Sequence, residues 1–196
     1  MRQTLGVAAI LLYSAHAVVL IHRGEAHDLL WGCHVAVLFV GAGLLASSAR
    51  LNSIGLLWSC FGMPLWVLYA FTGGEVLATS GLTHVGAFVI GTYGVRLLGI
   101  PRASAWAALG AFLTLWVITR AATPAAANVN LAFSVHPGWE RVFPAYPIYF
   151  VALFTGAAMT FATAEYAFRR IAQRAGPAAS ARAGAVSAAA SAGPRV

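Results

Sequence analysis

The sequence predicts an all-α membrane protein of six transmembrane helices, with both termini cytoplasmic and a disordered C-terminal tail. Three observations lead there. Hydrophobic residues make up 60% of the 196-residue chain and charged residues only 9%, against about 25% charged in ordinary soluble domains. The mean hydropathy is +0.79. The apolar residues also gather into runs near the ~20 residues needed to cross a ~30 Å hydrocarbon core. A soluble enzyme, a disordered chain and a disulfide scaffold are excluded by this supply. Two cysteines make neither a disulfide framework nor a zinc cluster.

Taken in order, the runs lie at about 4–21, 29–47, 54–72, 81–99, 104–121 and 146–168. Polar or helix-breaking residues separate them: His22 to Asp28, Ser47 to Ser53, Thr72 to Ser80, Gly99 to Ala103, and a longer 122–145 connection. None alternates apolar and polar residues as barrel strands do. Residues 1–174 thus form one transmembrane domain. From Ala175 to Val196 the chain is Ala, Gly, Ser, Pro and Arg with few large apolar residues, too little to offset the entropy of ordering, and this stretch reads as the tail. A second reading of the start treats Ala15-His16-Ala17 as a leader cleavage site, leaving five spans.

All twelve basic residues are Arg, and the net charge is +7. They flank apolar runs rather than cluster beside aromatics, so nucleic acid is not the expected partner. With six spans, nine Arg (2, 50, 96, 102, 169, 170, 174, 182 and 195) share a side with both termini, against Arg23, Arg120 and Arg141 opposite. The positive-inside bias makes the first side cytoplasmic, in a bacterial-type plasma membrane.

This orientation places every histidine in or beyond the outer half. His16 lies near the outer end of the first span, Cys33 and His34 one turn into the second, and Thr79, Ser80, Thr83 and His84 at the mouth of the fourth. Polar groups inside a bilayer usually face the bundle interior, so an outer polar pocket is expected. Cys33 is a candidate nucleophile if His84 takes its proton. Thr83 is a rival, but helix neighbours point about 100° apart, so it would need another base. His16, His34 and His84 form an alternative ligand set for haem or a transition metal, while plain packing accounts for Cys60. By helical rise, Cys33 and Cys60 should lie ~15 Å apart in depth and not pair.

His84, Ala87, Gly91 and Gly94 share one face of the fourth helix, which allows close helix–helix association. Pro64 should kink the third span. Trp31, Trp139, Tyr146 and Tyr149 fit an interfacial aromatic belt. The 122–145 connection mixes turn formers with aromatics, as a lid or as an anchor for the last helix.

Six spans, a nucleophile-type residue early in span two, His at the mouth of span four and the loop Asn128-Val-Asn130…Pro144-Ala-Tyr146 resemble one superfamily. It holds bacterial YwaF-type membrane proteins, androgen-induced-gene lipid hydrolases and a related eukaryotic acyltransferase. The resemblance implies Cys33 as nucleophile and His84 as base, although the hydrolase branch carries Thr where Cys33 stands. A lipid ester hydrolase or acyltransferase acting on membrane lipid without a cofactor is then expected, with His34, Thr83, His16, Asn128 and Asn130 as substrate or oxyanion pocket. The alternatives are a haem- or metal-binding membrane protein and a small-solute transporter or accessory subunit.

Overall fold

The computed structural model describes residues 1–72 and 74–191, with side chains through Gln173. Six α-helices carry the chain: α1 (Arg2–His22), α2 (Gly32–Leu45), α3 (Ala49–Phe71), α4 (Ala78–Leu98), α5 (Ser104–Ala122) and α6 (Tyr146–Ser191). Among the described residues the rest is short 3-10 turns and loops, with no strand.

Local chemistry explains where the helices stop. Gly99, at φ +77°, ends α4 in a backbone conformation that glycine adopts without Cβ strain, and Pro101 follows. Ser48 caps α3, its hydroxyl accepting from Leu51 N at 3.3 Å. That cap starts α3 at Ala49, about five residues before the apolar run predicts. Pro147 sits in the first turn of α6, where a missing N–H is harmless, and Pro64 lies inside α3, which continues through it to Phe71.

Four helices, α1, α3, α5 and α6 over Tyr146–Gln173, are long and apolar enough to cross a membrane. The two others that the sequence counts as spans fall short of that measure. Helix α2 has 14 residues, about 21 Å at 1.5 Å per residue against a ~30 Å core. It is preceded by a 3-10 segment, Ala26–Leu30, and extended backbone at Trp31. Helix α4 has 21 residues, but Thr79, Ser80, Thr83 and His84 dilute its first turns. The residues that make these helices poor spans are the ones that form the site described below.

The short helix is also the central one. α2 packs against α1, α3 and α4, and eight of its 14 residues are buried. Small residues allow this. A Cβ on Gly55 of α3 would strike the Ala36 carbonyl oxygen of α2 and approach Val40 N to 2.8 Å. Gly43 of α2 and Gly94 of α4 both abut Asn52 of α3, whose side-chain NH2 donates to the Gly91 carbonyl at 3.1 Å. The expected face of His84, Ala87, Gly91 and Gly94 is buried as a set. A second apolar layer, with Trp58, Phe112 and Phe161 at its centre, joins α3, α5 and α6.

The two ends of the bundle are held differently. At one, Arg50 donates to the Ala103 carbonyl at 3.0 Å, and Glu165 of α6 accepts from Ala105 N at 2.7 Å, serving the first turn of α5. At the other, Arg23 at the end of α1 forks between Glu25 and Glu75 at 2.9 and 2.8 Å. Beyond Gln173 the helical backbone runs on to Ser191, where the sequence predicts a tail without regular structure. Alanine has the strongest intrinsic helix propensity and dominates this stretch, so a helix there needs no core. Residues 192–196 of that expected tail lie outside the described residues.

Two outcomes follow from this packing. Gly55→Ala overpacks the α2–α3 contact and lowers stability by about 1–3 kcal/mol, read as a lower unfolding temperature in detergent; an unchanged melt would refute the close approach. Hydrogen bonding to Arg23 holds Glu25 below the usual carboxylate range. Its link therefore stabilises the fold at pH above that range and is lost as pH falls through the lowered value. Amide exchange at residues 24–26 should speed up over that acid interval and stay flat above it.

Candidate functional site

Four elements meet at the Arg23 end of the bundle. Helix α1 brings His16, α2 brings Cys33 and His34, α4 brings Thr79, Ser80 and His84, and α3 brings Trp66. A Thr79–His16–His34 chain runs through them. Thr79 Oγ1 lies 2.9 Å from His16 Nδ1, His16 Nε2 lies 3.1 Å from His34 Nε2, and His34 Nδ1 lies 2.8 Å from the Asp28 carbonyl oxygen.

A carbonyl oxygen only accepts, and that fixes the tautomers. His34 must donate from Nδ1 to Asp28, so its Nε2 carries a lone pair. His16 must then donate from Nε2 to His34, and its Nδ1 accepts from the Thr79 hydroxyl. The same logic sets His84, whose Nδ1 donates to the Ser80 carbonyl at 2.8 Å. Its Nε2 is left as a lone pair, buried and without a hydrogen-bond partner among the described residues. Trp66 stacks on the His84 ring, 4.7 Å between centroids and 22° between planes, and holds it in place.

Beside this ring lies Cys33. Its sulfur, one nitrogen of His34 and one of His84 all lie within 4.8 Å of one another. Both imidazoles are buried, and Cys33 as a residue is part-buried. Cys33 stands in the first turn of α2, where the positive end of the helix dipole favours an anion and burial disfavours it.

Asn130 sets the position of that first turn. Its Oδ1 accepts from Gly32 N at 2.7 Å, and its side-chain NH2 donates to the Leu30 carbonyl at 2.7 Å. A residue nearly 100 positions away thus serves as the cap that α2 lacks locally. To do so it takes a left-handed conformation, φ +53°. Asn128 closes its own loop, with Oδ1 accepting from Phe133 N and Ser134 N and its NH2 donating to the Ser134 carbonyl. Each amide thus binds backbone groups through its oxygen and one N–H of its NH2 group. Thr83 is likewise committed, donating to the Thr79 carbonyl at 2.7 Å.

The alternative ligand set also changes. His16, His34 and His84 do converge, with ring centroids 4.4 and 5.7 Å apart in sequence along the chain. His16, however, bonds His34 directly, and the group with ligand geometry is Cys33, His34 and His84. Rings in edge contact suit a single ion better than a porphyrin plane. Cys33 and Cys60 are both free thiols, as expected. Their ~15 Å depth gap does not hold, because the early start of α3 brings Gly62 against Cys33, where a Cβ added to the glycine would lie 3.2 Å from Cys33 Cβ. Cys60 lies only ~3 Å lower along the helix but about 200° around it from Gly62.

Several contributors were not foreseen from the sequence. Trp66 carries no local sign of its role, because the pairing joins α3 to α4. The Asp28 and Ser80 carbonyls are backbone groups with no side-chain signature. Of the aromatic belt, Tyr149 is buried inside a cluster with Trp139, Phe143 and Tyr146 that packs the long connection onto α6. Outside the spans, burial pushes the Asp28 carboxyl up, opposed by neighbouring His27 and by the Trp31 indole N–H, which donates to it at 3.1 Å. Two hollows along α6, around Thr163 and between Ala103 and Arg169, are not lined by Cys33, His34 or His84.

Compared with family models, curated proteins and solved structures, the chain gives no match.

The Asn130 cap generates a test. Asn130→Ala leaves the Gly32 N–H and the Leu30 carbonyl unsatisfied, a loss of about 1–3 kcal/mol. Faster exchange at the Gly32 amide and faster alkylation of Cys33 are expected; unchanged rates for both would show that the cap does not hold this turn.

Proposed function

We propose that this is an integral membrane acyl-transfer enzyme, a lipid ester hydrolase or acyltransferase with Cys33 as nucleophile and His84 as base. The observation that carries the reading is the His84 ring. Its Nδ1 is fixed on the Ser80 carbonyl, its Nε2 lone pair is buried without a partner, and a thiol lies within 4.8 Å of the imidazole. Nucleophile, base and orienting group are the parts that covalent catalysis requires. The superfamily resemblance supports the same two residues.

The chemistry balances as follows. His84 Nε2 takes the Cys33 proton, and the thiolate adds to the carbonyl carbon of a lipid ester. The tetrahedral adduct expels the alkoxide, which receives the proton from His84, and an acyl thioester is left on Cys33. Water, or an acceptor alcohol, gives its proton to His84 and attacks the thioester. The carboxylic acid or new ester leaves, and the thiolate is reprotonated. His34 holds the first turn of α2 in register with His84 through its bond to Asp28. Of the residues first considered for the oxyanion, His16 donates to His34 and both asparagines are engaged, so the backbone N–H of Cys33 in the first turn of α2 is the donor best placed by position.

In this reading α2 and α4 complete six spans, α2 enclosed by α1, α3 and α4, and α4 turning Leu82, Val85 and Val89 to lipid. Both termini are cytoplasmic in a bacterial-type plasma membrane, since the Arg excess lies at their end of the bundle. The site then faces the outer leaflet, and the substrate is a membrane lipid. The buried small-residue face of α4 serves packing within the chain.

Labelling by a thiol-reactive lipid probe or a fluorophosphonate tests the dyad. Cys33→Ala should abolish the label, His84→Ala should slow it by about 10²–10⁴-fold, and Cys60→Ala should leave it intact. Full labelling of Cys33→Ala would sink the assignment.

A further inference from the structure

Both imidazoles facing Cys33 share a feature that acid–base chemistry does not require of His34. Each donates Nδ1–H to a backbone carbonyl, His34 to Asp28 and His84 to Ser80, both at 2.8 Å. Metal-binding histidines are oriented in this way, because a carbonyl on one nitrogen fixes the tautomer and turns the other lone pair toward the ion. His84 is 3% exposed, and its Nε2 lone pair has no partner among the described residues. A buried acceptor left unmatched is destabilising unless something else satisfies it.

We infer that Cys33, His34 and His84 bind one zinc-class ion through Sγ and the two Nε2 atoms. A thiolate and two imidazoles suit a borderline-soft divalent ion, and atoms within 4.8 Å of one another need only small side-chain movements to reach ligand distances of about 2.0–2.3 Å. Three protein ligands leave a fourth position open, the pattern of reactive rather than closed zinc sites.

Without the ion, the His34 lone pair is occupied by the Nε2–H of His16 at 3.1 Å. Entry of the ion displaces that bond, and Cys33 gives up its thiol proton to solvent, so binding releases one proton. The backbone carbonyls of Asp28 and Ser80 stay in place as the outer shell. A bound ion takes the same sulfur and the same His84 lone pair that acylation uses, so ion and acyl group exclude one another. That consequence alone rests on the acyl-transfer reading; the ion site itself does not.

The test uses the full chain in detergent, stripped with chelator and titrated with cobalt(II) as a coloured stand-in for zinc. One equivalent should bind with a thiolate-to-cobalt charge-transfer band in the near ultraviolet, and zinc should bleach it. Cys33→Ser should abolish the band, His34→Ala and His84→Ala should each weaken binding by at least ~10-fold, and Cys60→Ser should leave it unchanged. Zinc added to the unsubstituted protein in weak buffer should release one proton, a readout that needs no variant. No band and no proton release would overturn the site, as would a band that persists in Cys33→Ser. Probe labelling in chelator separates the two ideas. Labelling without cobalt binding refutes the ion site alone, and cobalt binding without labelling refutes the acyl dyad alone.

Discussion

The Thr79–His16–His34–Asp28 chain of hydrogen bonds is the interaction on which the rest of this structure depends. It ties α4 to α1, α1 to α2, and α2 to the 3-10 turn before it. Polar bonds between helices in a bilayer average only about 0.6 kcal/mol each, so the chain is not what makes the bundle stable. Its contribution is directional. Each imidazole has one donor and one acceptor, and a carbonyl at one end of the chain dictates the proton position on both rings. The buried end of α2 therefore has one arrangement in which its polar groups are matched.

Close packing makes that arrangement reachable. Histidine rings on α1 and α2 can touch only if the helices approach closely, and the glycines of α2, α3 and α4 remove the side chains that would hold them apart. The same approach leaves α2 surrounded by α1, α3 and α4. A helix in that position need not be long enough to meet lipid along its length. The chain before it is free to form a 3-10 segment, whose Asp28 carbonyl then orients His34. The shortness of α2 and the geometry of the site thus have one cause.

The connection between α5 and α6 extends the same logic. Asn130 satisfies the N–H of Gly32, the residue before Cys33. The left-handed backbone at Asn128 and Asn130 directs the loop back to α2, and the Trp139–Phe143–Tyr149 cluster fixes it on α6. A loop that the sequence offers as a lid or an anchor works here as a distant helix cap.

The helical class, the positions of six helices and the cluster of polar residues at one end were all legible in the chain, because each reflects hydropathy and breakers local to its own segment. The buried face of α4 was legible for the same reason, as helical periodicity places His84, Ala87, Gly91 and Gly94 together. The grouping of Cys33 with His84 was read from the positions of sparse residues, and the structure brings the thiol and one imidazole nitrogen within 4.8 Å. Tertiary structure alone decided the rest. It showed that the short α2 is enclosed by α1, α3 and α4, that Asn130 caps α2, that Trp66 stacks on His84, and that Cys33, His34 and His84 come together in one group. Each of these turns on which helix stands beside which and on where carbonyl groups point. Hydropathy is a property of one segment and records neither.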